Sequence, residues 1–207
     1  MVDNFQVNSI MRHIVTFLDT PVKAILIIML FVSLVMAGGL VAEMFQRKYL
    51  KVRATSVIDA IKKGNNDVVT IIKNSSLLVK QKRLLLELTM HNSLSNDMRE
   101  SLASSLLDNY NQDLDFIIKK SDLITKLGPT FGLLGTLIPL GPGIIALSQG
   151  DTVTLSNSLL AAFDTTVIGL IAGSICTVIS LIRRRWYSKD KIMLSLIMEA
   201  IVEQENN

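Results

Sequence analysis

The chain is poor in the residues that build small chemical sites. It holds one cysteine, Cys176, in 207 residues, which excludes an intrachain disulfide. That cysteine lies within an apolar block, and nothing near it suggests a reactive thiolate. The two histidines, His13 and His91, are far apart and belong to no ligand motif. Neither a zinc site nor a histidine-activated nucleophile is indicated. The long central stretch, residues 43–126, shows no strand alternation, no glycine-rich phosphate loop, no carboxylates paired at a catalytic spacing and no repeat. The expectation is therefore a protein that is not an enzyme and carries no cofactor and no metal.

What the chain has is hydrophobicity in blocks. It is 49% hydrophobic and only 5% aromatic, with a mean hydropathy of +0.43. Blocks of this kind, rather than a period of 2 or 3.6, point to a membrane. The net charge is only +3. Its cations lie beside the apolar blocks, where they read as topology signals and not as a nucleic-acid footprint. The predicted class is an all-α membrane protein, with three transmembrane helices and long helical cytoplasmic extensions.

Residues 1–21 carry Val7, Ile10, Met11, Ile14, Val15 and Leu18 at helical spacing, which predicts an outer amphipathic helix, either at the membrane surface or packed on protein. Pro21 marks a break before the first span, residues 22–42. The uncharged run Ala24 to Ala42 is long enough to cross most of ~30 Å of hydrocarbon. Arg47, Lys48, Lys51 and Arg53 follow it, and by the positive-inside rule they hold that end in the cytoplasm and place the N-terminus outside. Gly38 and Gly39 read as a helix contact.

Residues 43–126 read as a helical cytoplasmic domain, with turns at Gly64-Asn65-Asn66 and Asn74-Ser75-Ser76 and a cap at Ser95-Asn96-Asp97. The second span, residues 127–148, is dense in glycine and proline. Pro139 and Pro142 should kink it, and Gly135 should pack closely. A short outer loop, residues 149–154, has no lysine or arginine. The third span, residues 155–182, would be ~42 Å as a straight helix and must tilt or project from the bilayer. Arg183, Arg184 and Arg185 stop it on the cytoplasmic side, with Trp186 and Tyr187 as interfacial anchors. Residues 183–207 then read as a further, C-terminal cytoplasmic helix.

Inside the third span sits Asp164, followed by Thr165 and Thr166. A carboxylate there costs roughly 2.5 kcal/mol or more at the bilayer centre, so it marks a functional site. At roughly 100° per residue, Thr166 lies about 160° from Asp164, so the cluster serves at least two interfaces. The threonines have a simpler reading as back-bonding or packing residues, which does not extend to Asp164. Several Asp164 side chains around one axis would raise each other's pKa towards neutrality; alternatively, Asp164 pairs with a cation from a partner helix.

Gly132-Leu133-Leu134-Gly135-Thr136-Leu137, followed by Thr166-Val167-Ile168-Gly169-Leu170, resembles the MotA/TolQ/ExbB proton channel family, closest to its ExbB/TolQ branch. The resemblance covers about residues 125–187, and the first half matches in layout only. It implies a homopentamer in the inner membrane whose central pore holds an ExbD/TolR/MotB-like single-span partner. It also implies that Thr136 and Thr166 line the ion pathway, with Thr165 and Asp164 beside them. The glutamate that the ExbB branch carries five residues before the second threonine is Ala161 here. Asp164, about one turn on, stands as its candidate replacement. Gly169 belongs to the packing motif. The implied activity is conversion of ion motive force, most simply a proton's, into movement of the partner. The alternative is a non-conducting scaffold in which Asp164 holds a partner helix. An intramembrane aspartyl protease needs two membrane aspartates, and Asp151 lies in the loop.

Overall fold

The computed structural model describes residues 2–49, 54–62, 68–90 and 95–204. Among these it forms only helices: α1 (Val2–Tyr49), α2 (Ala54–Lys62), α3 (Val68–Asn74), α4 (Val79–Met90), α5 (Asn96–Ser148) and α6 (Thr152–Gln204). Helices α1, α5 and α6 are each long and apolar enough to cross a membrane. At 1.5 Å per residue, the 53 residues of α5 and of α6 make rods of ~80 Å each.

Two expected boundaries are absent, at Pro21 and after Ile182. Helix α1 continues through Pro21, so no break separates the amphipathic start from the first apolar run. A proline removes one N–H, and a helix supported on both sides survives that loss. Pro129, Pro139 and Pro142 likewise sit inside α5 without ending it. The chain after Ile182 is not a separate helix but the continuation of α6. Three arginines are good helix formers and signal only a change of surroundings. The turn expected at Gly64-Asn65-Asn66 lies outside the described residues.

Other signals appear where local chemistry places them. Helix α3 ends at Asn74. Helix α5 starts with the Arg99 amide donating to the Ser95 carbonyl at 3.0 Å. Before α6, Gly150 takes a positive φ of 75°, and Asp151 caps the helix. Its carboxylate accepts from the amides of Val153 (3.1 Å) and Thr154 (3.0 Å) and from the Thr154 hydroxyl. The Thr154 hydroxyl and then these amides hold Asp151 below the usual carboxylate range.

The chain divides into two compact units. One gathers Leu40–Ile118 with Ile182–Asn207. Its core is large and aliphatic: Ile61 of α2, Ile72 of α3, Leu85 and Leu88 of α4, Tyr110 and Leu114 of α5, and Leu194, Ile197 and Ile201 of α6. The buried Gln81 serves two partners there, accepting from the Leu78 amide at 3.2 Å and donating to the Tyr110 hydroxyl at 3.3 Å. The other unit gathers Met1–Gly39 with Lys119–Leu181. It turns many large side chains outwards, among them Phe31 (67% exposed) and Phe163 (64%).

Candidate ion pathway

In this second unit the packing is built from residues without side chains. A Cβ placed on Gly135 would stand 2.7 Å from Cβ of Thr165, and one on Gly128 would stand 2.7 Å from the Gly169 carbonyl oxygen. On Gly169 it would run into the Gly128 carbonyl oxygen and lie 2.8 Å from Cα of Gly132. On Gly173 it would stand 2.9 Å from Cδ of Pro129. The backbones of α5 and α6 touch along this seam, the small-residue packing used where lipid removes the hydrophobic drive.

Helix α1 covers one flank of the seam. Its Met29 packs with Ile124 of α5 and with Ala172 and Cys176 of α6. Val22 and Leu26 pack with Ile138 of α5, with Ile168 of α6 against them. On a wheel centred at Gly132 for α5 and Gly169 for α6, Ile124, Ile138, Ile168 and Ala172 fall about 60–120° to this side. Thr136 and Thr166 fall about 40° and 60° to the other side. They therefore share the flank that α1 leaves uncovered.

The structure brings three of the four expected pathway residues together. Thr165 is buried under Gly135, and its hydroxyl lies 2.9 Å from the Ala162 carbonyl and 3.2 Å from that of Ala161. Thr166 is half-buried and donates to the Ala162 carbonyl at 3.2 Å. Thr136 is half-buried and donates to the Leu133 carbonyl at 2.7 Å. Each proton is held by the threonine's own helix, which leaves lone pairs to accept from water or a passing ion.

Asp164 stands apart. It is exposed, and it makes no hydrogen bond or ion pair with a described residue. On the same wheel it lies about 140° towards the α1 side, away from the threonine flank. Its neighbour Thr165, one residue on, points into the seam.

A different carboxylate lies on the threonine flank, within the stretch expected to be a helical cytoplasmic domain. Asp122 of α5 accepts from the Ser180 hydroxyl of α6 at 2.5 Å. Ser180 is buried, as is the adjacent Ser121, and Thr177 nearby donates to the Gly173 carbonyl at 2.8 Å. The Thr125 hydroxyl oxygen is buried without a hydrogen-bond partner. The signal was present as spacing. Asp122 precedes Thr136 by fourteen residues, and Thr166 precedes Ser180 by the same fourteen.

Pro139 and Pro142 line an open cavity of about 1150 Å³, together with Val15 and Asp19 of α1, Gln149, Asp151 and Ser158. Gly143 closes against Ser158, whose Cβ would meet an added Cβ at 3.0 Å.

Three of the expected anchor residues, Arg183, Trp186 and Tyr187, face protein instead of a bilayer surface. In the unit that holds Ile182–Asn207, Arg183 is buried and bonded to Glu43 at 3.3 Å. Trp186 packs against the aliphatic core, with the Arg47 guanidinium 5.1 Å from its ring centre. Arg47 itself bridges Asp190 at 2.6 Å and Glu43 at 3.1 Å. Arg184 and Arg185 are exposed. Sequence alone gave no sign that Glu43 would draw one of the three arginines inwards. Among the described residues no group of three or more potential metal ligands occurs.

Residues 79–193, more than half of the chain, match the sequence model of a family described as the MotA/TolQ/ExbB proton channel family. No curated protein sequence matches the chain.

Proposed function

The chain belongs to the MotA/TolQ/ExbB proton channel family, and from this premise we propose that it is the ion-conducting subunit of a membrane motor. The observation that carries this reading is the glycine-packed seam, with Thr136 and Thr166 side by side on the flank that α1 leaves open. Ions, most simply protons, pass along that flank, and their passage moves a single-span partner. The chain forms a homopentamer in the inner membrane around an ExbD/TolR/MotB-like partner, as in the ExbB/TolQ branch. Its N-terminus lies outside and its C-terminus in the cytoplasm, on the side of the basic residues that follow the first and third spans.

Asp164 has a separate part in this arrangement. An exposed carboxylate in an apolar span has to meet another chain, water or a proton. Asp164 faces a neighbouring subunit or the partner, where it meets a cation or the passing ion.

The test is the mass and symmetry of the detergent-purified complex, co-expressed with a neighbouring gene for a single-span protein, followed by flux in vesicles. Five copies around one or two partner helices, with flux lost in Thr166→Val, is the expected result. A closed oligomer that carries no flux, and that falls apart on Asp164→Asn, would favour a scaffold in which Asp164 clamps a partner helix.

A further inference from the structure

We infer that Asp122, hydrogen-bonded to Ser180, is a second ion station on the pathway, at the end of the seam towards the Arg183 side. The inference rests on reading the Thr136–Thr166 flank as the ion path, and adds a carboxylate to it.

The argument begins with spacing. Helices α5 and α6 run in opposite directions along one seam, fixed by the Gly135–Thr165 and Gly132–Gly169 contacts. Thr136 and Thr166 therefore stand at one level. Moving fourteen residues along each helix, backwards on α5 and forwards on α6, leads to Asp122 and Ser180. Fourteen residues are ~21 Å and return to within about 40° of the same face. The short hydrogen bond between Asp122 and Ser180 shows that both helices keep register over that distance. Two polar pairs thus occupy one flank, the threonines in mid-span and the carboxylate at its end.

Composition supports the same assignment. Between the two levels the flank carries Thr125, Gly173 and Thr177, with the Pro129 ring against Gly173 and Leu170 at its outer edge. Thr125 holds its hydroxyl oxygen buried with no partner. Buried hydroxyls are satisfied by protein or by water, and a polar pocket of several hydroxyls beside a carboxylate is where water resides. A ~21 Å gap is too long for one transfer between side chains, so water carries the ion across it. A proton arriving from the threonine level adds to the Asp122 carboxylate. It then leaves to water at the arginine end, restoring the carboxylate with no electron transfer and no other reactant.

The packing alternative is that the Asp122–Ser180 bond merely pins α5 to α6. The two differ in what restores function. The complex with its partner is reconstituted in vesicles, and proton uptake under an imposed gradient is read with a trapped pH dye. Asp122→Asn, which keeps a side chain able to bond Ser180, should lower flux about a hundredfold with unchanged complex mass, the low end of what a positioned proton-transfer group supplies. Asp122→Glu should recover most of it. Wild-type flux in Asp122→Asn, while Thr166→Val is inactive, overturns this station and leaves the threonine path standing. Normal flux in both variants overturns the path itself. Should Asp122→Asn fail to assemble, Ser180→Cys in a Cys176→Ala background decides. A membrane-impermeant thiol reagent added from the arginine side should label it and block flux, and absence of labelling means a dry seam and ends the proposal.

Discussion

The two units of this chain solve the packing problem with opposite materials. One holds its helices together with leucine and isoleucine, burying Leu85, Leu88, Leu194, Ile197 and Ile201 almost completely. The other turns Ile27, Phe31, Leu133 and Phe163 outwards and puts glycine, serine and threonine where the helices meet. The first is the pattern water imposes, because burying apolar area is favourable by about 25 cal/mol per Å². The second is the pattern lipid imposes, because hydrocarbon offers no such gain and close backbone contact supplies the cohesion instead. One helix can serve both: in α6, Gly169 and Leu194 do the same job for different surroundings.

The sharpest way to break this comparison is Gly169→Leu. The new side chain starts against the Gly128 carbonyl, and backbone does not yield as a side-chain tip does. A loss of more than about 4 kcal/mol is expected, enough to abolish a monodisperse complex in detergent. Retention of the wild-type elution profile would mean that the seam is looser than these contacts require. Next comes Asp190→Ala, which leaves the half-buried Arg47 beside Glu43 without its closest partner. It should cost about 3–5 kcal/mol, read as a lower melting temperature. If Asp190→Ala melts with wild type, the cluster is an ornament and the aliphatic core alone holds that unit. Leu194→Ala should cost about 2–5 kcal/mol by the same measurement, since Leu194 is fully buried. Phe31→Ala is its counterpart. A larger aromatic is removed, yet the melting temperature should move by no more than about 0.5 kcal/mol allows, because Phe31 is 67% exposed and faces solvent of its own kind. Equal effects of Leu194→Ala and Phe31→Ala would erase the distinction between the units.

Much of the architecture was legible in the sequence. The three apolar runs and the helix start after Ser95 follow from hydrophobic blocks and local turn chemistry, whereas α6 begins at Thr152, inside the loop expected over residues 149–154. Pro21 misled as punctuation, because proline breaks helices through backbone groups that tertiary neighbours can satisfy. Helix termini inferred at Ile182 failed for a related reason. A triple arginine reports the end of an apolar surface, and a helix passes from one medium to another without ending.

The site was legible in part. The Gly135-Thr136 and Thr166 motifs pointed to residues that the fold does bring together. Asp164 drew attention because a lone acid among apolar residues is conspicuous by composition. Asp122 escaped notice because it stands among Lys119, Lys120 and Lys126, where an acid looks ordinary. What distinguishes it is a partner fifty-eight residues away on another helix, Ser180. Period and composition are local properties, and cross-helix pairing is not.

The glycine seam also bears on how this protein can vary. A leucine core has neighbours in sequence space: one base change yields another aliphatic side chain of similar volume. A glycine whose missing Cβ is already occupied has none. Every missense change from a glycine codon adds at least one carbon, and at Gly128, Gly135, Gly169 and Gly173 that carbon has nowhere to go. Drift is therefore expected to be steep in tolerance along the chain, with free substitution on the outward faces and near-silence at these four positions. A saturation library scored for complex assembly would show them as four gaps, in contrast to outward positions such as Leu133 and Phe163, which accept other apolar residues.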